Sequence, residues 1–569
     1  MAEALLHSKT KSEVVADLGE KVCASVEEPS SKYSVAIQLE LLGLNDRKVR
    51  ETYGYDSVFQ LADRVYDYIR HELARERSAQ PGNPMEGGNG TAEAPVIPRN
   101  NGRRRNGMHK APALDLPGEG SLIRTFLRHF GKGLLGMAPL FSQILSVVLV
   151  SYSLWAWLFF NEFQATMVAL GTISAFLVTG GLSFYASREI TSYLQRDTPG
   201  LAARTARQVL GMGVGLLLAA ALGLHVLNLL TPLFPHSMLI MSNAYMFFIG
   251  TWLLASTLLY AMERYMAILY ATLGGTAAVI LGMEVLGWGI YLSHWTGMLL
   301  SALAMAVHGL RILDRQQQKD NGNNGKDFSL PPLAQKFYQN RRYFLYGTLY
   351  FLFLFMDRLM AWSAGSPPPE YPLWFDTSYE LGMDWALIGL ILITASSEYS
   401  INRFSELVLP LQEKLSRTSQ HRFKAFFRHF YRRQVLILLG VAVSSILASY
   451  FAVHSLRGFA DEVRLIHDFF SNEVLYPVFW LASLGYLFTA LGLMNTLFFF
   501  TIGRPAKVVR AMTAALLVNA SVGFACSRLI SYEFAVLGLV AGGFTLAGLT
   551  VYYLLEMFDN LPYYYYSAY

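Results

Sequence analysis

Long apolar stretches alternate with short polar connections from residue 134 to the end of the chain. A helix needs about 20 apolar residues to cross the hydrocarbon core of a bilayer. Twelve stretches meet or approach that length, and we predict spans at 134–159, 165–186, 209–230, 239–261, 266–286, 288–307, 344–362, 383–396, 435–453, 475–498, 511–529 and 534–554. The eighth is short and has to extend at one end. The pattern predicts an all-α polytopic membrane protein.

Basic residues are concentrated in every second connection between these spans. The connections at 187–208, 308–343, 398–434 and 501–510 carry four, seven, eight and three Lys or Arg. Four of the other connections carry none, and the one at 454–474 carries only Arg457 and Arg464. Because positive residues on short loops stay on the cytoplasmic side, we expect both chain ends to be cytoplasmic.

An internal repeat divides the spans into two sets of six. The second span ends in Ala186-Ser187-Arg188-Glu189-Ile190-Thr191, and the eighth ends in Ala395-Ser396-Ser397-Glu398-Tyr399-Ser400. Both sets enter the membrane from the same side, so the repeats are parallel and enclose a cavity between them. We predict two six-helix bundles, at 121–310 and 344–569, joined by a basic cytoplasmic linker at 311–343.

The residues before the first span have a different composition. We predict a disordered segment at 1–30, a cytosolic helical mini-domain at 31–78 and a flexible Gly/Asn/Pro-rich linker at 79–120. Within the mini-domain, Asn45 is expected to cap a short helix that ends at Gly54. Asp56 is expected to cap the helix that follows.

Composition and motifs exclude several classes of function. A chain that is 53% hydrophobic and 15% charged is too apolar for a soluble enzyme. The net charge of +5 comes largely from the inner connections, which favours anionic lipid as a contact and not nucleic acid. Cys23 and Cys526 form no disulfide framework or cysteine metal site, and no nucleotide, zinc or nucleophile motif occurs. We predict a non-enzyme without cofactor or metal.

Charged residues inside predicted spans are the first candidates for a substrate path. Asp357 and Arg358 lie in the seventh span, and Glu284 and His225 lie in the fifth and the third. Each charge costs about 2.5–3.5 kcal/mol at a helix centre, so such residues face a cavity or a partner. The alternative for Asp357 and Arg358 is a position near the outer headgroups. For Glu284 and His225 it is a structural hydrogen bond.

Charges at the inner helix ends are candidates for a gate between the halves. Arg188 and Glu189 end the second span, and Glu398 and Arg403 end the eighth. Paired charges from the two halves would close the inner side. The alternative is surface salt bridging, which contributes little to stability.

The acidic connection after the seventh span is a candidate sugar contact. It combines carboxylates with aromatic rings, and we single out Glu370, Trp374, Asp376 and Tyr379. Carboxylates accept hydrogen bonds from sugar hydroxyls, and flat rings stack on sugar rings. The alternative is an interfacial aromatic belt with acidic outer residues.

Several motifs resemble one known family. The segment Arg342-Tyr343-Phe344-Leu345-Tyr346-Gly347 runs into Met356-Asp357-Arg358 and Trp362, and Ser396-Ser397-Glu398-Tyr399 precedes a long basic loop. These features resemble the PelG family of the multidrug/oligosaccharidyl-lipid/polysaccharide exporter superfamily, over about 120–569.

That resemblance implies a transporter in the bacterial inner (plasma) membrane. Its substrate would be an amino-sugar-rich exopolysaccharide of the kind found in biofilms. It would receive the polymer from a cytosolic glycosyltransferase and work with sibling membrane subunits under cyclic-di-GMP control. Residues 1–115 depart from the family pattern.

Three alternatives remain open. A lipid-linked oligosaccharide flippase needs cations in its cavity to hold a pyrophosphate, and Arg358 is the clear candidate within a span, Arg528 being near a span end. A cation-coupled drug exporter needs cavity carboxylates, which Asp357 and Glu284 supply. A scaffold for a synthase complex is the non-transport alternative.

Overall fold

The computed structural model describes residues 11–25, 32–79, 122–324, 332–365, 371–415, 420–455, 457 and 470–559. In these ranges the chain is helical apart from loops and one isolated β-bridge between Tyr152 and Trp157. It forms two compact units, whose described parts are 11–79 and 123–559.

The N-terminal unit is a small helical domain with its own apolar core. Its helices are α1 (Lys11–Ser25), α2 (Lys32–Leu41), α3 (Asp46–Lys48, continued by a π-helical turn over Val49–Tyr53) and α4 (Val58–Ala79). The predicted disorder of 1–30 is wrong for α1. Val15, Leu18 and Val22 recur at helical spacing and are buried in the core with α2 and α4, which stabilises the helix.

Turn chemistry in this unit follows the sequence prediction at two of three positions. The Asn45 side chain accepts a hydrogen bond from the Lys48 N–H at 2.9 Å and caps α3. Gly54 ends the π-helical turn with a φ of 68°, a left-handed conformation that favours glycine. The predicted cap at Asp56 is wrong, because α4 begins at Val58 and the Ser57 hydroxyl accepts the Gln60 N–H at 3.3 Å.

The membrane unit contains twelve helices long and apolar enough to span a bilayer among its described residues. They are α5 (Leu122–Val150), α6 (Glu162–Gln195), α7 (Pro199–Leu230), α8 (His236–Ala261), α9 (Tyr265–Ile280, continued by a π-helical turn to Val285), α10 (Ile290–Asn324), α11 (Leu333–Trp362), α12 (Thr377–Leu415), α13 (Gln420–His454), α14 (Leu475–Thr501), α15 (Pro505–Leu529) and α16 (Val536–Asp559, preceded by a 3₁₀ turn over Tyr532–Ala535). The all-α prediction with twelve spans is confirmed.

Packing repeats between the two sets of six helices. In the first half, α6 packs on α7 and α8, and α10 packs on α8 and α9. In the second half, α12 packs on α13 and α14, and α16 packs on α14 and α15. These helices therefore have corresponding neighbours in the two halves, as expected of a repeat. The first helices differ, because α11 packs on α15 whereas α5 has no comparable contact with α9. We name the end that carries the basic connections the inner end.

Two predicted boundaries are corrected by longer helices. The linker predicted at 311–343 is helical over most of its length, because α10 continues to Asn324 and α11 begins at Leu333. Lys336, one of its basic residues, is 2% exposed and donates a hydrogen bond to the Gln208 side chain at 2.9 Å. The short eighth span extends at both ends and becomes α12.

The halves meet along α6 and α11, and we call this contact the α6–α11 seam. A Cβ at Gly347 would lie 2.6 Å from the Gly180 carbonyl oxygen, so the two backbones touch. Small residues allow such close approach between membrane helices. Further out, the rings of Phe176 and Phe351 have centroids 4.8 Å apart.

A second contact between the halves joins α5 to α12. A Cβ at Gly133 would overlap the Ala395 carbonyl oxygen and lie 3.0 Å from the carbonyl carbon. Phe126 packs edge-on against Tyr399, with ring centroids 5.2 Å apart. These contacts lie toward the inner end of both helices.

Candidate functional site

A charged network surrounds Arg358 near the outer end of α11. The Arg358 guanidinium donates to the Glu380 carboxylate and reaches Asp384 at 3.3 Å. The Glu380 carboxylate also accepts the Trp362 indole N–H at 2.9 Å. The Glu380 side chain is buried and that of Arg358 is 12% exposed, whereas the Asp384 side chain is 64% exposed. Two carboxylates therefore neutralise the one guanidinium.

Asp357 is fully buried beside this network. One of its carboxylate oxygens accepts the Tyr379 hydroxyl at 2.8 Å, and the other has no hydrogen-bond partner among the described residues. Asp357 and Arg358 thus both contact α12 of their own half. Their role in a substrate path stays a prediction.

The other two charged path candidates lie in the first half. Glu284 is exposed in the π-helical end of α9 and accepts the Tyr152 hydroxyl at 2.7 Å. That hydrogen bond raises the pKa of Tyr152 above its usual value. His225 is half-buried on α7, which packs on α6, α8 and α10. The structure does not bring either residue to Arg358.

The first pair of inner-gate candidates lies at the α6–α11 seam. The buried Glu189 carboxylate accepts a hydrogen bond from the Asn340 amide of α11. The Arg188 guanidinium lies over the Tyr343 ring of α11, 5.4 Å from its centroid. Both residues therefore join the two halves at this seam.

The second pair lies at the α5–α12 contact. The Cβ of Glu398 would be 3.0 Å from a Cβ at Gly133 of α5. Arg403 bonds Glu406 of the same helix at 3.0 Å, and Glu406 lies 3.6 Å from the His129 ring nitrogen of α5. The two candidate pairs thus contact different helices, so a single gate formed by all four stays a prediction.

The described candidates for the outer sugar contact form hydrogen bonds within the protein. The Trp374 indole donates to Glu162 of α6 at 3.2 Å. Asp376 accepts the Tyr379 N–H at 2.8 Å at the start of α12, and burial raises the pKa of this carboxyl. Tyr379 is fully buried against Asp357. Glu370 lies outside the described residues, and a sugar contact by this group stays a prediction.

Sequence reasoning did not identify Glu380 and Asp384 as partners of Arg358. They lie one helical turn apart at the start of α12, and both contact Arg358 of α11. The i, i+4 spacing of these two carboxylates is the feature of the sequence that could have indicated a shared cationic partner. Elsewhere, Arg528 of α15 donates to the Met360 and Ser363 carbonyl oxygens at 3.3 and 3.0 Å.

Aromatic rings from both halves meet at the α6–α11 seam. Phe176 of α6 contacts Phe351, and Phe184 of α6 packs edge-on against Tyr346 and Tyr350. Among the described residues, no group of three or more His, Cys, Asp or Glu side chains is arranged to hold a metal ion. The contact between the halves is thus rich in aromatic rings.

No protein-family model matches the sequence, and no curated protein matches it either. Solved structures do resemble it. An outward-facing conformation of a multidrug resistance MATE family transporter of the MOP superfamily has a TM-score of 0.53 at 13% identity. MATE in complex with MaD5 has a TM-score of 0.52 and MATE in complex with MaD3S one of 0.51, both at 13% identity. Each match covers 77% of this chain and 96% of the other. The membrane unit has the twelve-helix fold of these MATE transporters.

Proposed function

We propose that the protein exports an amino-sugar-rich exopolysaccharide through the space between its two helical halves. The carrying observation is the composition of the contact between the halves: aromatic rings of α6 and α11 meet there, and two carboxylates bind the Arg358 guanidinium. Aromatic faces bind the apolar faces of sugar rings, and tyrosine hydroxyls supply hydrogen bonds. A neutral or cationic sugar polymer would suit such rings if the halves part along this contact.

The arginines argue against a carrier of lipid-linked pyrophosphate. Two carboxylates neutralise Arg358, and Arg528 donates to the last carbonyl groups of α11. Releasing Arg358 for a phosphate would leave the buried Glu380 carboxylate without its cation, which costs free energy. The exposed Arg528 has no such cost, so the flippase stays an alternative that depends on this one cation.

A cation-coupled drug exporter is the second candidate. The MATE-like fold and the carboxylates of Glu398 and Asp357 favour it, since a lipophilic cation seeks both aromatic rings and negative charge. Its substrates would be small single molecules, whereas the first candidate handles a polymer. The two functions therefore differ in what a deletion strain fails to export.

Deleting the gene tests the two candidates together. We expect secreted amino-sugar polymer to fall to background and to return when the full chain is supplied from a plasmid, while susceptibility to lipophilic cations stays unchanged. Polymer should accumulate with the cell fraction, because synthesis precedes export. Normal secretion together with raised drug susceptibility would overturn the proposal in favour of the drug exporter.

The proposal includes the membrane setting and the partners. We place the protein in the bacterial inner membrane with both ends cytoplasmic, where its basic inner connections contact anionic lipid. A cytosolic glycosyltransferase would deliver the polymer, and sibling membrane subunits would complete the export complex. The N-terminal unit has its own core and offers a separate surface for such a partner.

Topology can be tested with single cysteines in a Cys23→Ser/Cys526→Ser background. We expect Ser237→Cys, exposed in the first turn of α8, to react with a membrane-impermeant maleimide from outside. Gln316→Cys, exposed near the inner end of α10, should react only after permeabilisation. The reverse pattern, or equal labelling of both, would contradict the orientation.

A further inference from the structure

One side of α13 carries basic side chains near the inner end and exposed apolar side chains along the rest of the helix. The basic group, all of it exposed, consists of Arg428, His429, Arg432 and Arg433. The apolar group, each member at least 43% exposed, consists of Leu436, Val443, Leu447 and Phe451. We call the first group the α13 cationic face and the second group the α13 apolar stripe.

Helix geometry places both groups on the same side of α13. At about 100° per residue, the α13 cationic face occupies a sector of about 140°, and the α13 apolar stripe lies within that sector. The buried residues Phe430, Gln434 and Leu438 lie on the opposite side, where α13 packs on α12, α14 and α16. From Leu436 to Phe451 the helix rises about 22 Å, which is most of a hydrocarbon core about 30 Å thick. The α13 cationic face therefore lies at the level of the lipid headgroups.

The positive charge of this face is not compensated within the protein. Arg432 and Arg433 pair with no carboxylate in the described part of the chain, and α13 itself contains no Asp or Glu. Other cations near the inner end do have carboxylate partners, in the pairs Lys132–Glu263, Arg207–Asp314, Arg403–Glu406 and Lys507–Glu556. The α13 cationic face thus differs from them, because an anion from outside the protein has to neutralise it.

We propose that the α13 cationic face binds the phosphate of an anionic phospholipid whose acyl chains lie on the α13 apolar stripe. Guanidinium groups form charge-assisted hydrogen bonds with phosphate oxygens, and each basic residue near an anionic leaflet adds to the attraction. A soluble anion would use the arginines alone, whereas a phospholipid matches both parts of the surface. The inference rests on the proposed contact of the inner connections with anionic lipid, to which it assigns a site, and it does not depend on the exported substrate.

Native mass spectrometry of the full chain, purified in detergent and depleted of bound lipid, tests the site. The probes are dioleoylphosphatidylglycerol, which is anionic, and dioleoylphosphatidylcholine, which is zwitterionic. We expect Arg432→Gln/Arg433→Gln to weaken binding of the first phosphatidylglycerol about tenfold and to leave phosphatidylcholine binding unchanged. Arg432→Lys/Arg433→Lys should keep most of the preference, because it keeps the charge. Arg311→Gln/Arg315→Gln, which removes two exposed arginines near the inner end of α10, is the matched control and should bind both lipids like the wild type.

Because Arg432 and Arg433 form no ion pair in the protein, the Gln variant should unfold in detergent like the wild type, so that lost binding is not lost folding. The inference is overturned if the wild type does not prefer phosphatidylglycerol, if the Gln variant binds it normally, or if the α10 control loses as much binding. Displacement of the lipid by equimolar glycerophosphoglycerol or poly-glutamate would also overturn it, because a soluble phosphate or an acidic protein segment would then be the occupant. The deletion strain decides the export function independently of these outcomes.

Discussion

Replacing Arg358 by Gln is expected to destabilise the membrane unit by about 3–5 kcal/mol, the usual cost of removing one partner from a buried ion pair. The guanidinium is the group that compensates the buried Glu380 carboxylate, and Asp384 adds further negative charge beside it. Without the guanidinium, these carboxylates repel each other at the interface of α11 and α12. Thermal unfolding in detergent, followed by size-exclusion chromatography, measures the loss.

A second substitution, at Glu380, separates the effect of the unpaired charge on stability from the effect of lost packing. Arg358→Gln/Glu380→Gln should recover a large part of the lost stability, because the buried Glu380 carboxylate is then no longer present without its cation. Arg432→Gln, at an exposed arginine of α13, should unfold like the wild type. Wild-type stability of Arg358→Gln would show that the network does not hold α11 and α12 together.

Replacing Gly133 by Ala is expected to separate α5 from α12. The added methyl group would overlap the Ala395 carbonyl oxygen, and a backbone atom has little freedom to move aside. Overpacking of this kind costs about 1–3 kcal/mol. Cysteines at His129 and Glu406, whose side chains lie 3.6 Å apart, report the change. In a background without Cys23 and Cys526, the yield of a short bis-maleimide cross-link between them should fall several-fold.

Gly440→Ala is the matched control, because a Cβ at Gly440 of α13 would meet no atom within 4 Å. It should leave the cross-link yield unchanged. An unchanged yield for Gly133→Ala as well would mean that α5 and α12 tolerate a side chain at their contact. The contact would then not depend on close backbone approach.

The fold was predictable to the extent that the bilayer constrains it. A membrane span requires an apolar helix, so span number and the alternation of basic connections follow from local sequence. The repeat was detectable because Glu189 and Glu398 occupy corresponding helix ends. Asn45 and Gly54 acted as expected because a cap depends on a few neighbouring residues.

The contacts of the candidate site were less predictable, because they depend on which helix faces meet. Arg358 was found as an intramembrane charge, but its pairing with Glu380 requires the relative rotation of α11 and α12. The sequence predicts Trp374 as a sugar contact or part of an interfacial aromatic belt, and it does not predict its hydrogen bond to Glu162, 212 residues away in sequence. Lys336 was assigned to a solvated linker and is buried. Each difference arises from tertiary packing between distant segments.

The α6–α11 seam has a mechanical consequence. Contacts of α6 with the second half run from the Glu189–Asn340 hydrogen bond of this seam at the inner end to a hydrogen bond at the outer end. There the Phe375 N–H, in the connection between α11 and α12, donates to the Thr166 hydroxyl at 3.1 Å. If these contacts are preserved, the two halves can move relative to each other only by rotating about the line that joins the contacts. The α5–α12 contact lies away from this line, so it is the contact that such a rotation would open.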